Sequence, residues 1–204
     1  MDVSQTHGRL AGIDYGAKTA GTTVIAYLDL ENKEVQVVQS QKNKSADDWL
    51  IANLKSKPAD LIAFDAPLSL PGYYQKLEGF TDYFYRVGDR ELKAMSPLFL
   101  GGLTARAIRI RDLLHAEGIK VVETYPGKMA ERLEIKPLGY KKQKEHLGAV
   151  LEVLEKEFLE FSIPLGEFTN WHRVDALIAL WSAWRIFRGE NDFIGDQTEG
   201  GIYL

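Results

Sequence analysis

Four carboxylates stand where acids could gather around a metal ion. Asp14 closes the apolar run Leu10-Ala11-Gly12-Ile13, Asp65 closes Leu61-Ile62-Ala63-Phe64, and Glu123 closes Lys120-Val121-Val122. Each lies at the C-terminal end of a short segment that reads as a strand. If those strands are parallel neighbours, the acids share one sheet edge. Asp175 is placed differently, inside a helix whose only other polar side chain between Val174 and Trp184, indole nitrogens aside, is Ser182. At helical spacing Asp175 lines up with Ala179, Ser182 and Ile186, a mostly small stripe able to press against a sheet. A carboxylate there is expected to be at least partly buried, which is costly unless a partner compensates it. A cation shared with the strand-end acids would do so; without one, clustered carboxylates repel and one tends to stay protonated. Such an oxygen-only set suits Mg²⁺ or Mn²⁺, and the chemistry it supports is metal-assisted hydrolysis of a phosphate ester.

Each acid also has a plainer reading. An Asp at a strand end is commonly only a turn former or helix N-cap, and a lone Glu at a strand end means little. It is the set of four that points to a site.

The elements that must position them follow from the pattern. Strands are expected at Leu10–Asp14, Gly21–Tyr27 and Glu34–Val38, the last alternating polar and apolar as a half-buried edge does. Short turns between them make an antiparallel meander. Ser45 reads as the N-cap of a helix reaching about Leu54, with Asp47 and Asp48 in its first turn. Further strands are expected at Leu61–Phe64 and Lys120–Glu123, and helices at about 101–115, 126–133, 141–161 and 171–187. Between them, about 68–102 is long, aromatic and irregular, with Pro71-Gly72 and Ser96-Pro97 as breakers. A loop that long in a compact domain is usually functional. The sum is an α/β fold in one domain over 1–204: a mixed five-strand sheet, three antiparallel strands then parallel ones, flanked by helices and carrying that insertion.

Bulk properties narrow the classes. The 204 residues carry a formal net charge of -4, so the overall field does not attract a polyanion. Nucleic-acid binding then needs a local basic patch or metal bridging. The absence of cysteine excludes disulfides, thiolate metal sites and Cys nucleophiles. Met1–His7 has no apolar signal core and no later apolar run spans a bilayer, so a cytoplasmic protein without a membrane role is expected.

The motifs in their order resemble domain-of-unknown-function family 429, a group of predicted nucleases with an RNase H-like fold. The resemblance covers nearly the whole chain. It rests on Gly12-Ile13-Asp14 with Thr22-Thr23-Val24, on Phe64-Asp65-Ala66-Pro67-Leu68-Ser69-Leu70-Pro71, and on Arg86-Val87-Gly88-Asp89-Arg90-Glu91-Leu92. Val122-Glu123-Thr124-Tyr125-Pro126, His172-Arg173-Val174-Asp175-Ala176-Leu177 and Glu199-Gly200-Gly201-Ile202 complete it. It implies an RNase H-like sheet with Asp14, Asp65 and Asp175 as the acidic-site residues and metal ligands. Classical RNase H-like nucleases place another acid near the helix position. Here Arg173 and Val174 offer none, so Glu123 either fills the site or holds a neighbouring loop.

Four cations are candidates for substrate contact. Arg86 and Arg90 are spaced to share a helical face, with a surface salt-bridge network as the alternative. Arg106 falls near the start of the helix after Gly101-Gly102, where its charge opposes the helix dipole, which suggests an anionic ligand or acidic partner nearby. Lys18 follows the first strand and could reach a phosphate, though such a lysine is more often solvated. Lys141, Lys142 and Lys144 read as a solvated helix start. His172, one turn before Asp175, is either a proton carrier or an oriented structural histidine. The aromatics Tyr73, Tyr74, Phe80, Tyr83, Phe84 and Tyr85 fit base stacking, or more readily a lid on the core or a homodimer contact through the insertion.

The expected function is a divalent-metal-dependent nuclease or phosphodiesterase acting on nucleic acid or a related phosphate ester. The alternatives are a nucleotide-binding phosphotransferase, since actin-like and sugar-kinase domains open with a similar Gly-Ile-Asp-x-Gly strand, and a non-catalytic interaction module of the same fold. The first alternative calls for a second such domain, and no second copy is found in the sequence.

Overall fold

The computed structural model describes residues 8–204; Met1–His7, read above for a leader sequence, lie outside the described residues. Three strands open the fold: β1 (Arg9–Asp14), β2 (Val24–Asp29) and β3 (Glu34–Gln39). β1 and β2 are almost wholly buried, whereas β3 alternates exposed and buried residues along most of its length. That is the pattern of an edge with one wet face. Next come α1 (Ala46–Ser56), β4 (Leu61–Asp65), α2 (Val87–Leu92), α3 (Pro97–Leu100), α4 (Gly102–Ala116) and β5 (Lys120–Thr124). The chain finishes with α5 (Pro126–Arg132), α6 (Leu147–Glu157), α7 (Trp171–Arg188), β6 (Phe193–Asp196) and β7 (Gly200–Tyr203).

The strands form one sheet in the order β3-β2-β1-β4-β5-β7-β6. β1, β2 and β3 pair antiparallel, while β4 and β5 run parallel to β1. This is the RNase H-like arrangement, with helices on both faces. One apolar layer joins β1 and β2 to α6 and α7 through Leu10, Ala26, Leu154, Leu177 and Leu180. The other joins the opposite face to α1 and α4 through Ile13, Phe64, Leu50 and Ile110.

The sheet has seven strands where the sequence pattern suggested five. β7 adds parallel to β5 and β6 pairs antiparallel to β7. Each added strand has four residues and contains glycine, too short to show alternation in the sequence. Their pairing is therefore a tertiary outcome. The helix expected over 141–161 is also shorter. Lys141 has a left-handed backbone, with φ at 58°, and regular helix begins only at Leu147.

Residues of the long segment after β4 make two short helices and several turns, tied to the C-terminal strands by Glu199. Its buried carboxylate accepts hydrogen bonds from the backbone N–H groups of Gly72 and Val87, both at 2.7 Å. No helix is long and apolar enough to cross a membrane among the described residues.

Candidate metal centre

β1 and β4 are parallel neighbours in which Asp14 and Asp65 are direct register partners. Side chains alternate along a strand, so two residues opposite each other project from the same face. The third acid arrives from α7, which packs chiefly on β1 and also meets β2 and β4. Gly12 makes that approach close: a Cβ there would stand 1.9 Å from the backbone nitrogen of Leu180. Asn170 caps the helix by accepting from the N–H of Arg173, which fixes the first turn that carries His172 and leads to Asp175. Asp14, Asp65 and Asp175 each thereby present a carboxylate oxygen within 4.8 Å of the other two.

The surroundings of the three differ. Asp14 accepts a hydrogen bond from His172 Nδ1 at 2.8 Å, and this contact raises the histidine pKa, against the effect of burial. Asp175 is buried and is held by the Tyr140 hydroxyl on one oxygen and by Lys141 Nζ at 2.6 Å on the other. Burial nevertheless pushes its carboxyl up to about 6, Asp14 adding to the rise and Lys141 opposing it. Asp65 has no hydrogen bond or salt bridge among the described residues. Its carboxyl is pushed well above the usual carboxylate range, first by desolvation and then by the negative charges of Asp14 and Asp175. For Lys141, burial works toward the neutral form, but Asp175 outweighs it and the ammonium titrates above its ordinary value.

These residues fit a hard divalent cation. The donors are all carboxylate oxygens, and among the described residues Asp65 has only the more distant charge of Lys141 to offset its neighbours. Among the described residues, the cations paired with them are one histidine and one lysine whose side chain is half-exposed. A group of acids raised by mutual repulsion is what a positive ion would relieve.

Glu123 lies elsewhere, because it pairs in register with Phe64, one residue short of Asp65. A one-residue offset turns a side chain to the opposite face. There the buried Glu123 carboxylate receives both terminal nitrogens of Arg86 at 2.6 Å and the N–H of Leu68 at 2.8 Å. Of the two roles considered for it, holding the loop after β4 is the one this geometry serves. Burial raises its carboxyl pKa, with Arg86 pulling the other way.

The four candidate cations are equally distinct in setting. Arg86 is only 1% exposed and is enclosed by Asp89, Glu123 and Ser69, so its guanidinium is consumed within the fold. Arg90 is exposed, pairing with Asp82 at 2.7 Å and lying over the Tyr85 ring. Arg106 has an acidic partner within the chain: it contacts Asp47 of α1 through Nε and Nη2, and its Nη1 donates to the Gly16 carbonyl. Lys18 is exposed, and its carbonyl accepts from the N–H of Ala46 at the start of α1.

Tyr140 and Lys141 were missed as neighbours of the acids. The signal was present in Pro137-Leu138-Gly139, two breakers ahead of the pair that forbid a continuous helix. Which acid the resulting loop would reach was not readable.

Compared with protein-family models and with curated proteins, the chain matches none. Among solved structures it is similar to T. thermophilus RuvC in complex with a Holliday junction substrate, at 17% identity and a TM-score of 0.47, over 96% of this chain and 99% of that one. It is also similar to a Fowlpox virus resolvase in complex with substrate Holliday junction DNA, at 10% identity and a TM-score of 0.41, over 89% and 97%.

Proposed function

We propose that this chain is a divalent-metal-dependent nuclease or phosphodiesterase, with Asp14, Asp65 and Asp175 as the residues that hold Mg²⁺ or Mn²⁺. The observation that carries this reading is the convergence of three carboxylates from two strands and a helix, with Asp65 given no hydrogen-bond or ion-pair partner among the described residues. Turn formation and helix capping explain none of that convergence. The motif order that resembles domain-of-unknown-function family 429 supports the same reading.

A divalent cation bound there supplies Lewis-acid activation of water and charge for a phosphodiester's oxygens. The chain's own residues prepare the site. His172 orients Asp14 through Nδ1, leaving Nε2 to exchange a proton with solvent or substrate. Tyr140 fixes one oxygen of Asp175 by donating its hydroxyl. Lys141, with its side chain half-exposed, leaves its ammonium free to turn toward an anionic substrate when a cation takes the second oxygen. Charge attraction at this one locus also accounts for how a chain of net charge -4 would engage a polyanion.

The test is calorimetric titration with Mg²⁺ and Mn²⁺ of the wild type, Asp14→Asn and Asp65→Asn, beside a hydrolysis screen over single-stranded, duplex and branched DNA, RNA and small phosphodiesters. Metal binding lost in both variants, with hydrolysis lost in parallel, is expected. Undiminished metal affinity in both variants would overturn the assignment.

A further inference from the structure

Beside Asp65 lies a cavity of about 200 Å³ that the metal centre does not use. It opens across the carboxyl ends of β1, β4, β5 and β7, roofed by the segment that carries α3 and the start of α4. Tyr15, Pro67, Met95, Leu100, Leu103 and Tyr125 give it a largely apolar and aromatic wall, and Asp65 forms part of the same wall. Neither Lys nor Arg lines it. Its other two acids, Asp89 and Glu123, are already paired with Arg86. A phosphate therefore has no place inside, whereas an uncharged flat ring does. The volume is below the roughly 300–1,000 Å³ of pockets for drug-sized molecules, which suits one heterocycle and not a base pair.

We infer that this cavity receives one unpaired nucleobase of the substrate, next to the phosphate held at the three acids. The inference rests on the phosphodiesterase reading and adds the substrate class: a strand whose base beside the scissile phosphate is free of a complementary partner, in single strands, loops or branch points. A base in a duplex would first have to be extruded, at the cost of unstacking and unpairing. Because the wall offers rings and aliphatic groups, and its carboxylates are taken by Arg86 or, at Asp65, committed to the metal in this reading, the base is held by contact area and stacking, so discrimination among the bases is weak.

The test uses the full chain with Mg²⁺ and a single-stranded dinucleotide bearing a hydrolysis-resistant linkage, against the same compound made abasic on one side. Calorimetry is expected to show the base-bearing compound bound about tenfold more tightly, a ratio typical of stacking on aromatic side chains. Met95→Trp, at a rim position 60% exposed, and Leu103→Trp both fill the cavity and should reduce that ratio below about twofold with Mg²⁺ affinity unchanged. If Leu103→Trp does not fold, the exposed Met95→Trp carries the measurement alone. Equal binding of the two compounds by the wild type, or a ratio untouched by filling, overturns the base pocket while leaving the metal centre standing. Failure of the wild type to bind Mg²⁺ overturns the phosphodiesterase reading itself, and the base pocket with it.

Discussion

Asp14 and Asp65 are register partners on adjacent parallel strands, so backbone pairing alone sets two carboxylates side by side. Neither can swing far, because β1 and β4 are central strands buried on both faces. The electrostatic strain of the pair, sharpened by Asp175, is thus built into the sheet.

Removing one of these charges should stabilise the protein while disabling the site. Asp65→Asn relieves desolvation and like-charge repulsion, and the metal-free variant is expected to gain on the order of 1 kcal/mol, typical of functional positions traded for stability. Thermal melts in chelator should show a higher Tm than wild type. Addition of Mg²⁺ should raise the wild-type Tm and leave the variant's unchanged.

The pH dependence has a definite sign. Asp175 titrates at about 6 in the fold against an ordinary 3.8, so between those values the native state binds more protons than the unfolded chain. Stability of the metal-free protein then falls as pH rises through that window. His172, also raised, contributes stability present below its ordinary value of 6.5 and lost as pH climbs through its folded value, which extends the fall to higher pH. Metal affinity should run the opposite way, strengthening as pH rises through about 6 and Asp175 ionises. Denaturant melts in chelator at a series of pH values, paired with Mg²⁺ titrations, would check both; an Asp175→Asn variant should flatten the lower part of each curve.

Arg86 is the position where a single substitution should do most harm without touching the acids. Its loss leaves Glu123 and Asp89 buried without their cation, and breaking such a cluster costs about 3–5 kcal/mol. Arg86→Lys should not rescue it, because one ammonium cannot reproduce the forked contacts to two carboxylates. Pairing Arg86→Met with Glu123→Gln should recover part of the loss in urea melts, and the folded fraction should still bind Mg²⁺, since Glu123 faces away from the three acids.

Gly12→Ala should separate the helix from the strand. Its Cβ would meet the α7 backbone at Leu180 and Ala176, and backbone cannot turn aside as a side-chain tip does. Overpacking of this kind costs about 1–3 kcal/mol or more, and the displaced Asp175 should weaken Mg²⁺ binding more than tenfold, by roughly the 1.4 kcal/mol or more that a lost ligand geometry represents. Gly102→Ala, where nothing lies within 4 Å, is the matched control and should leave both the melt and the titration unchanged.

The three longer acid-bearing elements were legible because their patterns are local. Leu10–Asp14 and Leu61–Asp65 are apolar runs ended by an acid, and Trp171–Arg188 places one carboxylate among apolar residues at a spacing that demands burial. The bend at Tyr140-Lys141 and the pairing of four-residue strands at the C-terminus depend on partners distant in the chain, so no local pattern announces them.

Glu123 shows where the sequence stops. By itself the sequence determined that acids stand at the ends of three short apolar strands and that a fourth sits on a buried helix face, because strand and helix periodicities are written in residue types. Only the tertiary structure decided which acids meet. Register pairs Asp65 with Asp14 but sets Glu123 opposite Phe64, and that offset of one residue sends its carboxylate through the sheet to Arg86. Register is a relation between strands, fixed by packing on both faces, and no single strand contains it.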